Sequence, residues 1–422
     1  MDAQHRLVTR RQAVLAGLAA LGGIGTVSTA AGARALHVLA TAAGDQAAAH
    51  KLAVATRGFS FRLFDDLAAR QPAQNTFISP LGVFVALAMA YNGARGRTRQ
   101  AMAGALGVEG MSLEDVNRGT SALLALLAEG DPHVQLTIAD ALWARLGSAF
   151  NPRFMATLRA FYGATANTLD FADPRASRTI NAWVRDQTHG KIDRIVPDRI
   201  DPATVIFLIN AVYFKGAWSV PFDRALTKPH AFRLPGGASK RVPLMTQAGR
   251  YPYYADRTVE AVSLPYGRGR MRMYVFLPRA SSSLAHLRAR LTQAAWEGWL
   301  ARFAQAQGAI SLPRFTARYG VGLKGTLTAL GMGIAFDRRR ADFGDMVTGQ
   351  RAYIQDIQHK AVVAVDEQGT TAAGATSVQV GITAIMAPQF TLVVDRPFLC
   401  AIVDSATGTV LFVGAITDPA AL

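Results

Sequence analysis

Val205-Ile206-Phe207-Leu208-Ile209-Asn210-Ala211-Val212-Tyr213-Phe214 is a β-branched and aromatic run interrupted by a single polar side chain, the pattern of a central strand. It marks a change of texture. Before it, apolar residues recur at helical spacing: over 54–69 Phe61, Phe64, Leu67 and Ala68 line one face while Arg62 and Asp65 point out. Asn75-Thr76-Phe77-Ile78-Ser79-Pro80 reads as a short strand entering a helix that runs from Leu81 to about Gly93 and is apolar nearly all round. Ser79 is placed to cap that helix and Pro80 suits its first turn. Further helical patterns cover 98–106, 113–127, 152–161 and 175–188. After the central run, strands are expected near 259–264, 271–277, 309–315, 361–365, 391–394, 398–403 and 410–416. Helices first and strands later predict an α+β architecture with more than one sheet.

A second stretch stands out. The apolar run 361–365 is followed by Asp366-Glu367-Gln368-Gly369-Thr370-Thr371-Ala372-Ala373-Gly374-Ala375-Thr376, where side chains have hardly any bulk. Two glycines and small neighbours suit a segment that is exposed in one state and packed in another. The same composition also describes a glycine-containing surface loop.

The chain has 422 residues, 50% of them hydrophobic, enough to bury a large core in one domain or two. A formal charge of +16 raises the question of an anionic partner, set against a simply solvated basic surface. The arginines lie in short scattered groups (95, 97, 99; 268, 270, 272; 338–340), with no long basic block and no nucleic-acid motif with interleaved aromatics. The single cysteine, Cys400, sits in an apolar run with no neighbouring base or cation and reads as an inert buried thiol. Arg6, Arg10 and Arg11 precede a small-residue run over 13–31, and Ala33-Arg34-Ala35 offers small residues at the positions a signal peptidase reads. Residues 1–35 are therefore expected to be an export signal, with Thr9-Arg10-Arg11-Gln12 similar to a twin-arginine motif. A single membrane anchor is the alternative. Residues 36–50 read as a loose alanine-rich linker, and no later segment has the length of apolar sequence that a membrane span needs. The mature chain is expected to be exported, extracellular or periplasmic.

Active-site motifs are missing. The sequence has no G-x-S-x-G, H-E-x-x-H, C-x-x-C or Walker pattern, and its histidines have no ligand spacing. Gly320-Val321-Gly322-Leu323-Lys324-Gly325 matches G-x-G-x-x-G, but its surroundings do not read as a strand–helix–strand unit. The expectation is a non-enzyme with no cofactor and no metal.

Six motifs then carry a family resemblance: 75–80; Asn210-Ala211-Val212-Tyr213-Phe214-Lys215-Gly216-Ala217-Trp218 with Pro221-Phe222; His359-Lys360-Ala361; Glu367-Gln368-Gly369-Thr370; Asp395-Arg396-Pro397-Phe398; and Leu411-Phe412-Val413-Gly414. In this order and separation they resemble the serpins over most of residues 51–418. The resemblance implies one domain over 51–422, of about eight or nine helices and three β-sheets, with an exposed reactive-centre loop at about 367–394. It also implies irreversible suicide-substrate inhibition. A target serine protease cleaves the loop and becomes covalently trapped, and the loop inserts into the main sheet as a new strand.

On that resemblance Glu367, Gly369, Thr370, Thr371, Ala372, Ala373, Gly374 and Ala375 form the loop hinge. Inserted residues alternate between the two faces of a sheet, so a hinge without charge or proline fits insertion, and 369–376 carries neither. The family's spacing places the reactive bond at Thr383-Ala384. The loop is about three residues longer than usual, so Ile382, Ile385 and Met386 are alternatives. None of these is cationic, which disfavours trypsin-like targets and points to elastase-, subtilisin- or chymotrypsin-like proteases. Ser79, Asn210 and His359 correspond to the polar shutter beneath the strands that part, and Trp218 to the breach aromatic where the loop enters. Each also has an ordinary reading: a helix cap, a buried amide, a satisfied core histidine and core packing. Gly82 stands where a second serine is common. The partners implied are a target protease in a covalent complex and a polyanion on the basic surface, with the inhibitor acting as a monomer. The competing function is a non-inhibitory serpin-fold protein that binds an anionic ligand.

Overall fold

The computed structural model describes residues 29–164, 166–370 and 388–421. Nine α-helices occur among them: α1 (Thr29–Arg70), α2 (Pro80–Tyr91), α3 (Gly96–Leu106), α4 (Leu113–Ala128), α5 (Pro152–Thr157), α6 (Ala176–Gln187), α7 (Leu284–Ala289), α8 (Gln293–Leu300) and α9 (Lys324–Leu327). The strands of the first half are β1 (Thr76–Ile78), β2 (Val134–Arg145), β3 (Ala149–Phe150), β4 (Ala166–Leu169), β5 (Ile206–Ala217), β6 (Lys228–Arg233), β7 (Ser239–Ala255) and β8 (Val259–Pro265). Those of the second half are β9 (Met271–Pro278), β10 (Ala304–Pro313), β11 (Phe315–Gly322), β12 (Val347–Thr348), β13 (Ile354–Asp366), β14 (Gly369–Thr370), β15 (Phe390–Val393), β16 (Phe398–Asp404) and β17 (Thr409–Ile416).

They form three sheets, of nine, six and two strands. The six-stranded sheet runs β11-β13-β14-β5-β2-β4, and β5 also pairs directly with β13 in parallel. Its central strand is the run that opened the sequence: its first nine residues are all buried. Alternation sends Phe207, Ile209, Ala211 and Tyr213 to a cluster with Ile180 and Val184 of α6. Ile206, Leu208, Val212 and Phe214 face the two larger cores on the other side. On that side α2 is buried along all its 12 residues, as its uniform apolarity predicts. The Ser79 side chain accepts from the Gly82 N–H, and Pro80 occupies the first turn.

Several expectations change. Residues 36–50, read as a loose linker, lie within α1, which starts well before the first strong apolar periodicity. Residues 1–28 lie outside the described residues. The region before β5 is not purely helical, because β2 crosses it; its Val134-Gln135-Leu136-Thr137-Ile138 alternation is a strand signal that the surrounding helices obscured. The expected strand at 309–315 is two strands, β10 and β11. Gly320 and Gly322 lie within β11, antiparallel to β13, so the glycine motif is sheet backbone and not a phosphate loop. Among the described residues no helix is long and apolar enough to cross a membrane.

Candidate functional site: the seam between the central strands

β5 and β13 meet in a seam. From Ile354↔Ile206 to Val362↔Tyr213 the two pair directly. Beyond that point β14 lies between them: Thr370 pairs with Val365 and Gly216, and Gly369 with Asp366 and Ala217. Two residues of the expected loop hinge, Gly369 and Thr370, are thus already in the sheet.

Only glycine can occupy position 369. Its φ is +142°, and a Cβ there would stand 2.1 Å from the Gly216 carbonyl oxygen and 2.6 Å from the Ala217 Cα. Around it, the Trp218 indole donates to the Asp366 carbonyl at 2.9 Å and stacks on Tyr266, with centroids 4.4 Å apart. The Tyr266 hydroxyl is hydrogen bonded to the Thr370 hydroxyl at 2.9 Å, both groups being buried. Backbone N–H groups of Trp218 and Phe222 donate to the carbonyls of Gln368 and Glu367. The Glu367 carboxylate, 1% exposed, accepts from Thr227 at 2.7 Å and pairs with Arg314. Burial opposes its charge, but the hydrogen bonds from Arg314 and Thr227 outweigh burial and hold its pKa below the usual value.

Further along the seam a side-chain chain crosses three strands in register. Asp140 stands opposite Asn210, and Asn210 opposite His359. The Asn210 amide donates to Asp140 at 2.7 Å, while its oxygen lies 2.6 Å from His359 Nδ1. His359 Nε2 accepts the Ser79 backbone N–H at 3.1 Å. That bond assigns the tautomer: Nδ1 carries the proton and donates to Asn210. Burial lowers the His359 pKa to about 3, so the ring is neutral. Burial also raises the Asp140 pKa, to about 8, and the Asn210 hydrogen bond only partly opposes it.

The structure therefore brings Ser79, Asn210 and His359 together and puts Trp218 with Glu367, Gly369 and Thr370. Thr371, Ala372, Ala373, Gly374 and Ala375 lie outside the described residues, as do Ile382, Thr383, Ala384, Ile385 and Met386. The segment that holds them leaves the six-stranded sheet at Thr370 and rejoins the nine-stranded sheet at Phe390, where β15 runs parallel to β10. Sequence reasoning missed Asp140, Thr227, Tyr266 and Arg314. Asp140 had a signal, a lone acid in the apolar strand Ile138-Ala139-Asp140-Ala141-Leu142. The other three come from distant elements and had none. Gly82 is also explained: a Cβ there would lie 2.6 Å from the Asn210 amide nitrogen, so a serine has no room and Asp140 supplies the extra partner. Cys400 is fully buried and its thiol is pushed up to about 12 by burial, as expected of an inert packing residue. Among the described residues no three His, Cys, Asp or Glu side chains group to hold a metal.

Comparison with known proteins agrees with this architecture. The model of the family described as Serpin (serine protease inhibitor) matches residues 54–419. An uncharacterised serpin-like protein of Thermococcus kodakarensis is 34% identical over 373 residues, covering 86% of this chain and 85% of its own length. The leukocyte elastase inhibitor of Bos taurus is 32% identical over 380 residues, covering 87% of this chain and 100% of that one. Among solved structures, the thermophilic serpin Tengpin in its native state superposes with a TM-score of 0.80 at 30% identity, covering 87% of this chain and 94% of that one. With a matching family model, relatives named as inhibitors, and a seam whose strands part at one end, the chain belongs to the serpins, the family described as serine protease inhibitors.

Proposed function

We propose that this serpin acts as an irreversible suicide-substrate inhibitor of elastase-, subtilisin- or chymotrypsin-like serine proteases. The observation that carries the reading is Gly369–Thr370 lying between β5 and β13, a strand begun but not continued along the seam. The target's serine oxygen attacks the Thr383 carbonyl, the amide bond to Ala384 breaks, the serine's proton passes to the new amine, and the C-terminal fragment stays held in the nine-stranded sheet through β15, β16 and β17. Residue 383 stays on the protease as an ester. Freed at one end, the hinge residues from Thr371 onward continue β14 down the seam. The new strand gains backbone ladders on both sides and carries the acyl-enzyme with it. To pass, it must separate Asn210 from His359, so their hydrogen bond acts as the lock.

The absence of a cation from 370 to 394 supports an apolar-pocket target over a trypsin-like one. The reading includes export, with residues 1–35 as the signal, and action as a monomer. Mixing residues 36–422 with elastase and with subtilisin tests it. A covalent adduct is expected on a denaturing gel, at the summed mass less the 39-residue peptide from Ala384 to Leu422 that denaturation releases. Clean cleavage without adduct, or an adduct with trypsin alone, would remove it. Cleavage that leaves thermal stability unchanged would favour the non-inhibitory binding protein, for which the +16 charge speaks.

A further inference from the structure

The glycine stretch that matched a phosphate-loop pattern lies on a sheet edge, and that edge is open. β11 is the outermost strand of the six-stranded sheet and pairs on one side only, with β13. The Leu323 N–H donates to the Ile357 carbonyl at 2.8 Å, while the Arg314 N–H turns away from β13 to the Pro243 carbonyl at 2.9 Å. Antiparallel alternation between these two fixed points aims the backbone groups of Thr316, Arg318 and Gly320 outward. Among the described residues no backbone bond outside the ladder uses them.

A cavity of about 270 Å³ opens against this edge, lined also by Gln71, Gln74, Asn75 and Ala421. Part of that lining is rigid. Asn75 donates to the Asp418 carbonyl at 2.7 Å and accepts the Thr417 N–H at 2.7 Å and the Asp418 N–H at 3.0 Å. These bonds tie the segment leading to Ala421 to the turn after α1. Gln71 and Gln74 on that turn are exposed, and their side-chain amides bond to no described residue. Outward backbone N–H and C=O groups facing free amides make a template for another extended backbone.

The side chains define what that backbone should carry. Arg318 stands opposite Val362, on the sheet face that α6 covers further in. It is exposed, lies between the small Thr316 and Gly320 on that face, and has no carboxylate partner among the described residues. Lys360, opposite Gly320, adds positive charge: burial lowers its pKa, Asp193 opposes this, and Arg318 adds to the lowering. On the other face the Tyr319 and Phe77 rings line the cavity. We propose that the β11 edge binds an extended peptide segment of a partner protein, with an acidic residue opposite Arg318 and an apolar residue on either side. A second copy of this chain fits less well. Its loop offers no carboxylate from 370 to 394, and pairing edge to edge would set Arg318 near its own like charge. β13 separates this edge from the seam, so a peptide bound there leaves the hinge free.

Fluorescence anisotropy of the purified chain with a labelled Ser-Thr-Val-Glu-Val-Thr-Ser peptide tests the proposal. The same peptide with glutamine at its centre should bind about threefold to fivefold more weakly, and Arg318→Gln should erase that difference. The glutamate N–H is the one that pairs with Arg318, so N-methylation there should weaken binding about tenfold or more. N-methylation at the two valines, whose N–H groups point away from β11, should change it less than about twofold. The peptide comparisons leave the protein unaltered, so they decide the matter even where Arg318→Gln folds poorly. No binding, equal binding of the glutamate and glutamine peptides, a preference that survives Arg318→Gln, or equal losses from both methylations would overturn the proposal.

Discussion

The two ends of the β5–β13 seam use the same strands and behave as opposites. Beyond Val362 the strands are wedged apart by two residues with little side chain, under an aromatic stack of Trp218 on Tyr266. Around His359 they are joined, and the join is reinforced by a side-chain chain from Asp140 to the cap of α2. One end is shaped for entry and the other is bolted. On the proposed mechanism insertion is governed by a local lock as much as by the loop, and the lock is polar inside an apolar core, where each unmade hydrogen bond is costly.

The comparison breaks most readily at Gly369. In Gly369→Val the Cβ has no place in the sheet, so the hinge should leave it, costing about 3 kcal/mol in strain and lost contacts. A lowered thermal midpoint and a changed Trp218 emission are expected; wild-type values for both would mean that the hinge is not packed as described. Asn210→Ala removes the centre of the lock and leaves Asp140 and His359 without their shared partner, an expected loss of about 2–3 kcal/mol. The seam should then part more easily, so spontaneous conversion to an inserted, cleavage-resistant form on mild heating should quicken. Equal conversion rates would show that the amide does not restrain the strands.

The third prediction uses pH. Asp140 has a folded-state pKa raised to about 8, above its unfolded value, so its stabilising contribution is fully present at acid pH and is lost as pH rises towards 8. His359, lowered to about 3, has the opposite sign: its contribution is present above the ordinary histidine value and is lost as pH falls towards 3. The thermal midpoint should therefore fall between pH 6.5 and 9, by the equivalent of about 1–2 kcal/mol, and Asp140→Asn should flatten that limb. A limb that persists in Asp140→Asn would assign the titration elsewhere. The smallest effect is expected at the entry. Tyr266→Phe keeps the stack and removes only the bond to Thr370, for about 1 kcal/mol, and differential scanning calorimetry against Thr370→Val should show the two changes to be non-additive.

Much of this seam was legible in advance. Asn210, His359 and the Glu367–Thr370 hinge were found because each sits in a short, ordered motif, and β5 because ten consecutive residues read as a strand. What escaped has a common cause. Arg314 lies 53 residues from Glu367, and Tyr266 lies 104 residues from Thr370. No local pattern announces such pairs. Strand β2 escaped for a different reason, since its clean alternation covers only five residues before the sheet buries both of its faces.

By itself, the sequence determined the α+β order of elements, the strand at the centre and the small, uncharged hinge, because periodicity and side-chain size act over neighbouring residues. Only the tertiary structure decided that Gly369 and Thr370 already lie between β5 and β13, and that Asp140 stands beside Asn210 where a second serine has no room. These are facts of register and of non-local packing, and they exist only once distant strands have been laid side by side.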